Sequence, residues 1–197
     1  MRCLNNVVND SNTISAWLEL ARKGNANAIN LLVENHQQLV YSITWKILAH
    51  KEDAEDAAQE AFIKCFRNLH KFKGESAFGT WLCSIAYRTA IDLFNKRKNR
   101  LARYGSLQVD INHSEGATVS LQNGTESKEI KVILKQAIDA LPTDDALMIM
   151  LHYYWDMPLR EIGTVLQISE NNAKVRLHRS RIKLQAFLKQ VKDLQPS

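Results

Sequence analysis

Helical spacing of apolar residues, broken once by a long polar stretch, is the strongest constraint this chain places on its fold. Ile14, Trp17, Leu18 and Ala21 recur at intervals of three and four, as do Ile29, Leu32 and Val33, and then Leu39, Ile43, Ile47 and Leu48. Such intervals give a helix one apolar stripe, whereas a half-buried strand would need strict alternation. The pattern holds from Asn12 to about Arg100, with Gly24 and Asn25 separating the first helix from the second. It lapses between Leu101 and Ser127, where GSLQVDINHSEGATVSLQNGTES has few large apolar residues and reads as a linker. Ile130, Ile133, Leu134 and Ile138 resume it, Leu141-Pro142 stops it, and DDALMIMLHYYW continues it. The expected fold is all-α: two small helical domains, 12–100 and 128–192, joined by a flexible linker over 101–127. Seven glycines and three prolines in 197 residues agree with helix as the dominant element.

Several function classes fall away on composition. No apolar run approaches the ~18 residues that spanning a bilayer takes, and MRCLNNVVNDSN has no signal-peptide core, so the expected location is cytoplasmic, without membrane insertion. Cys3, Cys65 and Cys83 are far apart and form no C-x-x-C, which argues against a disulfide framework and a zinc site. Cys65 and Cys83 read as small core residues. The six histidines, at 36, 50, 70, 113, 152 and 178, have no H-x-x-x-H spacing, and there is no Gly-rich phosphate loop. No catalytic residue, metal or cofactor is expected, and the chain does not read as an enzyme.

The net charge of +5 is compatible with an anionic partner without requiring one. Its distribution says more. Residues 51–60, KEDAEDAAQE, hold five acids and one lysine; 96–103, KRKNRLAR, hold five cations and no acid; 171–192 hold seven cations and no acid. A solvated surface mixes the signs, so these blocks point to one basic and one acidic partner.

The last cationic block lies on a helix-turn-helix. In REIGTVLQISENNAKVRLHRSRIKL, Leu159 to Leu166 makes a short helix, Gln167 to Ser169 a tight turn, and Ser169 an N-cap for a longer helix. Ala173, Leu177, Ser180, Leu184, Leu188 and Val191 fall on one stripe. Asn171, Lys174, Val175, His178 and Arg179 lie opposite, with Arg176 and Arg181 on the flanks. Amide, imidazole and cations at the N-terminal half of such a helix can reach base edges and phosphates, as a recognition helix must. An amphipathic surface helix would carry the same charges, but the short helix and turn before it favour DNA.

On the helix from Asp53 to Leu69, Ala58, Phe62, Cys65, Phe66 and Leu69 share the expected buried stripe. Asp56, Gln59, Glu60 and Ile63 point the other way. Solvation explains the acids, but an isoleucine among them is better explained by a protein contact.

Residues 53–98 resemble region 2 of bacterial RNA polymerase sigma factors, in the compact extracytoplasmic-function group. The resemblance is carried by Asp53-Ala54-Glu55-Asp56, Gln59-Glu60-Ala61-Phe62, Phe72 to Phe78, Thr80-Trp81-Leu82, Ile85-Ala86 and Asp92. Leu141-Pro142 through the helix-turn-helix is similar to region 4 of the same group. The resemblance implies an alternative sigma factor that binds core RNA polymerase, at the beta-prime clamp and the beta flap, and directs initiation at promoter DNA. It implies that Asp53, Asp56, Gln59, Glu60 and Ile63 dock on the clamp. Melting the minus-ten element takes aromatic platforms, a base pocket and cations, and the implied set is Phe72, Gly74, Ser76, Trp81, Ser84, Tyr87, Arg88, Lys96 and Arg97. Trp81 also suits a structural role beside the stripe of Phe78, Leu82, Ile85 and Thr89. Asn171, Asn172, Lys174, Val175, Arg176, His178 and Arg179 are implied to read the minus-thirty-five element. Where the family often has asparagine this chain has Arg88, which can bond a guanine edge or grip phosphate, so no base preference carries over. An anti-sigma factor, often membrane-bound in this group, is the remaining implied partner. Two rivals predict differently: a stand-alone helix-turn-helix regulator would bind its operator without polymerase, and a nuclease would need a second acidic cluster.

Overall fold

The computed structural model describes residues 11–104 and 125–193, with side chains for 12–100 and 132–189. The chain divides into two compact units between Val109 and Asp110. The first contains α1 (Ser11–Arg22), α2 (Ala26–Leu48), α3 (Lys51–Arg67), a short 3-10 turn (Leu69–Lys71) and α4 (Phe78–Tyr104). The second contains α5 (Thr125–Asp139), α6 (Thr143–Ile149) with a π-helical continuation (Met150–Tyr154), α7 (Leu159–Leu166) and α8 (Glu170–Asp193). No strand occurs among the described residues. Helical backbone enters the stretch read as linker from both sides, to Tyr104 and from Thr125. Residues 105–124 and Cys3 lie outside the described residues, as does the side chain of Val191.

In the first unit α2, α3 and α4 pack against one another, and α1 packs on α2. The break after α1 uses Gly24 at φ +79°, and Asn25 then caps α2 by accepting a hydrogen bond from the Ala28 amide at 3.0 Å. The inward stripe of α3 is Ala54, Ala57, Ala58, Ala61 and Cys65. Phe62 and Phe66 are only half-buried and stack on each other at its margin, with ring centroids 6.2 Å apart. The centre of the stripe thus lies on smaller residues than the sequence pattern suggested, because a helix wedged between two others has no room for phenyl rings on its inner line. Large side chains from the neighbours, Leu32, Val40, Ile43 and Leu82, fill the space the alanines leave. Thr44, fully buried on α2, donates its hydroxyl to the Ala54 carbonyl at 2.9 Å, which ties α2 to the first turn of α3. Burial pushes the Cys65 thiol up to about 12, consistent with an unreactive core residue.

In the second unit α8 packs against α5, α6 and α7. Gln167, left-handed at φ +59°, ends α7, and Ser169 Oγ accepts from the Asn172 amide at 3.2 Å to cap α8. The turn is tight enough that a Cβ on Gly163 would lie 2.8 Å from the Ile168 carbonyl oxygen. An ionic knot joins α6 to α8. Asp145, only 6% exposed, receives Arg176 Nε at 2.9 Å and Lys183 Nζ at 2.7 Å, and Asp144 receives Arg176 Nη2 at 3.0 Å. Burial alone would raise the Asp145 carboxyl, but the hydrogen bonds from Lys183 and Arg176 outweigh it and hold the group below the usual carboxylate range.

Two outcomes follow for the second unit. Gly163→Ala should destabilise it by about 1–3 kcal/mol, since backbone rather than a side-chain tip must move. Amide exchange should accelerate in α7 and α8 and stay unchanged in α2 to α4; unchanged exchange in α7 would show that the turn relaxes at no cost. The depressed Asp145 carboxyl contributes stability that is complete above its unfolded value, near pH 4, and is lost as pH falls through its folded value. Urea denaturation between about pH 3 and 7 should show that acid loss, and Asp145→Asn should flatten it while lowering stability at neutral pH. An identical acid limb in both proteins would assign it to other carboxylates.

Candidate nucleic-acid interface and acidic docking face

Along α3, Asp56 and Gln59 are exposed, Glu60 is half-buried 3.6 Å from Lys64, and Ile63 is 46% exposed. These four form one outward face, an acidic surface with an aliphatic side chain in it. Asp53 does not join them. It is half-buried and accepts a hydrogen bond from Arg97 Nη1 at 2.5 Å, joining the start of α3 to the last third of α4. His50 lies 3.6 Å away. The same contact removes Arg97 from the exposed cations in the later part of α4, which among the described residues are Lys96, Lys98 and Arg100. Lys96, Arg97 and Arg100 with His50, Asp53 and Leu93 line a shallow concavity.

The segment from Phe72 to Arg88 is organised by an aromatic cluster. Phe72 lies 5.7 Å from Phe78 and 5.2 Å from Trp81, ring centroid to centroid. Phe78 is buried, whereas Phe72 and Trp81 are half-buried, so each has one surface packed and part of another in solvent. His36 closes the cluster from α2, edge-on to Phe78 at 5.2 Å, with Nδ1 2.8 Å from the Leu32 carbonyl. Burial holds its imidazole below the ordinary value, with the Leu32 bond opposing. The following loop turns at Gly74, φ +76°, and continues through exposed Glu75 and half-buried Ser76. Tyr87 is half-buried and Arg88 exposed on α4. Ser84 departs from the expectation of a DNA contact: it is buried and donates to the Thr80 carbonyl at 2.9 Å, because its place in α4 turns inward with Thr80.

In the second unit Asn171, Asn172, Lys174, Val175, His178 and Arg179 are all exposed, Val175 by 49%. Their chemistry suits a groove: amides and imidazole for base edges, an aliphatic surface for a thymine methyl, and cations for guanine or phosphate. Lys174 is drawn back by Glu170 at 2.9 Å, an exposed pair of the kind that yields readily to a phosphate. Arg176 is the exception: its guanidinium faces the Asp144 and Asp145 carboxylates, so it is not among the exposed groups.

Three contributors escaped the sequence pattern. Arg22, at the end of α1, donates from Nη2 to the Phe72 carbonyl at 2.7 Å while Nη1 holds Glu19 at 2.7 Å. It thereby fixes the root of the Gly74 loop. His36 supports the aromatic cluster, and Asp145 anchors the helix-turn-helix. The only sequence signal was an apolar-stripe position for His36, three to four residues from Leu32 and Leu39; the other two act across gaps that periodicity cannot see. Among the described residues, no three His, Cys, Asp or Glu side chains are grouped to hold a metal ion.

Residues 32–100 match the family model for Sigma-70 region 2, and residues 131–184 that for Sigma-70, region 4. The ECF RNA polymerase sigma factor SigW of Bacillus subtilis (strain 168) is 31% identical over 193 residues, covering 92% of this chain and 98% of the relative. The ECF RNA polymerase sigma-E factor of Escherichia coli (strain K12) is 30% identical over 174 residues, covering 86% and 91%. The sigma factor RpoE from Bartonella quintana, solved with the anti-sigma factor NepR, superposes with a TM-score of 0.65 at 17% identity, over 81% of this chain and 96% of that one. CnrH, solved with the cytosolic domain of CnrY, gives 0.62 at 20% identity, over 89% and 96%. These two likenesses concern the fold. The matched regions stand in order and together span more than half of the chain, and the relatives match it nearly end to end, which sets aside both the stand-alone regulator and the nuclease. The chain belongs to the extracytoplasmic-function group of RNA polymerase sigma factors, alternative sigma factors that direct promoter-specific initiation and are not enzymes.

Proposed function

We propose that this sigma factor docks on the beta-prime clamp through Asp56, Gln59, Glu60 and Ile63, with Asp53 bracing the face from behind through Arg97. The observation that carries this assignment is Ile63: an aliphatic side chain 46% exposed in a patch whose charge repels DNA has a protein as its fitting partner. The first domain, 12–100, then opens the minus-ten element with Phe72, the loop at Gly74 and Ser76, Trp81, Tyr87 and Arg88. Lys96, Lys98 and Arg100 face the phosphates. The second domain, 128–192, reads the minus-thirty-five element with Asn171, Asn172, Lys174, Val175, His178 and Arg179 and meets the beta flap. The segment over 101–127 serves as the linker, and the spacing of the two DNA sites is then set by the polymerase.

An anti-sigma factor, often membrane-bound in this group, is proposed as the restraining partner, supported by the structure of RpoE in complex with the anti-sigma factor NepR. A cytoplasmic site of action is proposed because transcription takes place there; no helix among the described residues is long and apolar enough to cross a membrane.

The docking face is tested by reversing Asp56 and Glu60 to Lys together. Each change shifts the charge by +2, so the free protein's non-specific affinity for DNA should hold or rise. Binding to core polymerase should weaken by about 2–5 kcal/mol, and promoter-directed transcription should collapse. A double variant that retains wild-type affinity for core polymerase would exclude this face. Arg88→Asn tests the departure from the family: minus-ten preference or the permanganate pattern of the open complex should change more than thermal stability. A large fall in melting temperature with an unchanged footprint would make Arg88 a structural residue.

A further inference from the structure

The knot between α6 and α8 sits beside the exposed face of the recognition helix. Asp145, Arg176 and Lys183 line one concavity with Asn172, Val175 and Arg179, so the ionic contacts and the proposed minus-thirty-five contacts share a wall. At 3.6 residues per turn, 172, 176, 179 and 183 run along a single edge of α8. Without the acids, that edge would present three cations in succession to a phosphate backbone. With them, Arg176 is held through two nitrogens and Lys183 through its ammonium, and a buried carboxylate stands where an incoming phosphate would seek Arg176.

We propose that Asp145, seconded by Asp144, is a positioning and specificity-setting residue: it ties Arg176 and Lys183 to α6, fixing the rotation of α8 and withholding two cations from promoter phosphates. The consequence is selective. Phosphate contacts strengthen binding to every sequence alike, whereas base contacts discriminate. Withholding Arg176 and Lys183 lowers the sequence-independent share and leaves Arg179 and its neighbours to decide between promoters. The pairing is also built to persist in the complex, because separating it would leave the buried carboxylate uncompensated, unlike the exposed Lys174 pair.

This inference rests on the reading that the Asn171 to Arg179 face meets the minus-thirty-five element, and the experiment separates the two. Holoenzymes carrying the full-length wild type, Lys183→Met, Asp145→Asn or Arg179→Ala are titrated with a cognate promoter and one with a scrambled minus-thirty-five element, across a salt series. Arg179→Ala is the control for the face: it should weaken cognate binding about tenfold, and if it does not, the face is wrong. Lys183→Met should leave the slope of log affinity against log salt unchanged. Asp145→Asn should steepen that slope by about 0.9 for each cation released and narrow the ratio of cognate to scrambled binding. The proposal is overturned if Lys183→Met flattens the slope by about 0.9, as a lysine on phosphate would. It is equally overturned if Asp145→Asn keeps the wild-type slope and ratio while remaining folded. Should Asp145→Asn fail to fold, Lys183→Met decides alone, since half of that side chain is in solvent and it bears little of the core.

Discussion

Everything in the first unit depends on α3 being narrow on one side. Ala54, Ala57, Ala58 and Ala61 let it settle between α2 and α4, and the bulk missing from α3 is supplied by leucines and isoleucine from its neighbours. A helix held by its small residues has its long ones left over. The outward positions are therefore available for acids and Ile63 without cost to the core, and their spacing is fixed by the same three-helix packing that sets the start of α4. Thr44 on the Ala54 carbonyl and Lys64 on Thr89, at 3.2 Å, pin that packing at polar points. The proposed docking face and the proposed minus-ten segment are thus built on the same three packed helices.

The helices themselves were legible. The break at Gly24 and Asn25, the bounds of α7 and the Ser169 cap all come from local chemistry, and each is found where local chemistry puts it. What could not be read locally was the fate of individual charges. A run such as KRKNRLAR or 171–192 is a count of cations along the chain, but folding brings acids to it from elsewhere. Arg97 meets Asp53 from 44 residues away, and Arg176 and Lys183 meet Asp145 from 31 and 38 residues away. The resemblance also put Ser84 in the minus-ten set, whereas its place on α4 turns it to the core. Periodicity locates stripes well and resolves their edges poorly, and residues at an edge are the ones whose role changes.

Under the minus-ten role we propose, the aromatic cluster combines a structural and a ligand-facing role in the same residues. Phe72 and Trp81 pack on each other and on buried Phe78, yet neither is fully covered. Packing on one surface restricts the rings, and a restricted ring offers a better stacking platform than a mobile one, since less entropy is lost when a base arrives. The same reasoning explains why His36 is worth burying beneath them, despite the penalty that burial puts on its charged form.

Arg22 gives α1 a mechanical purpose. Because its guanidinium grips the Phe72 carbonyl from one side and Glu19 from the other, the chain just before Gly74 is clamped to a helix that precedes the stretch matched by the family model. Gly74 follows Phe72 two residues later in the left-handed region, and Glu75, Ser76 and Ala77 run from that turn to the start of α4. If the loop receives a displaced base as proposed, it does so on a three-residue arm between two packed phenylalanines, so the seating of Phe72 and Phe78 decides where that base would lie.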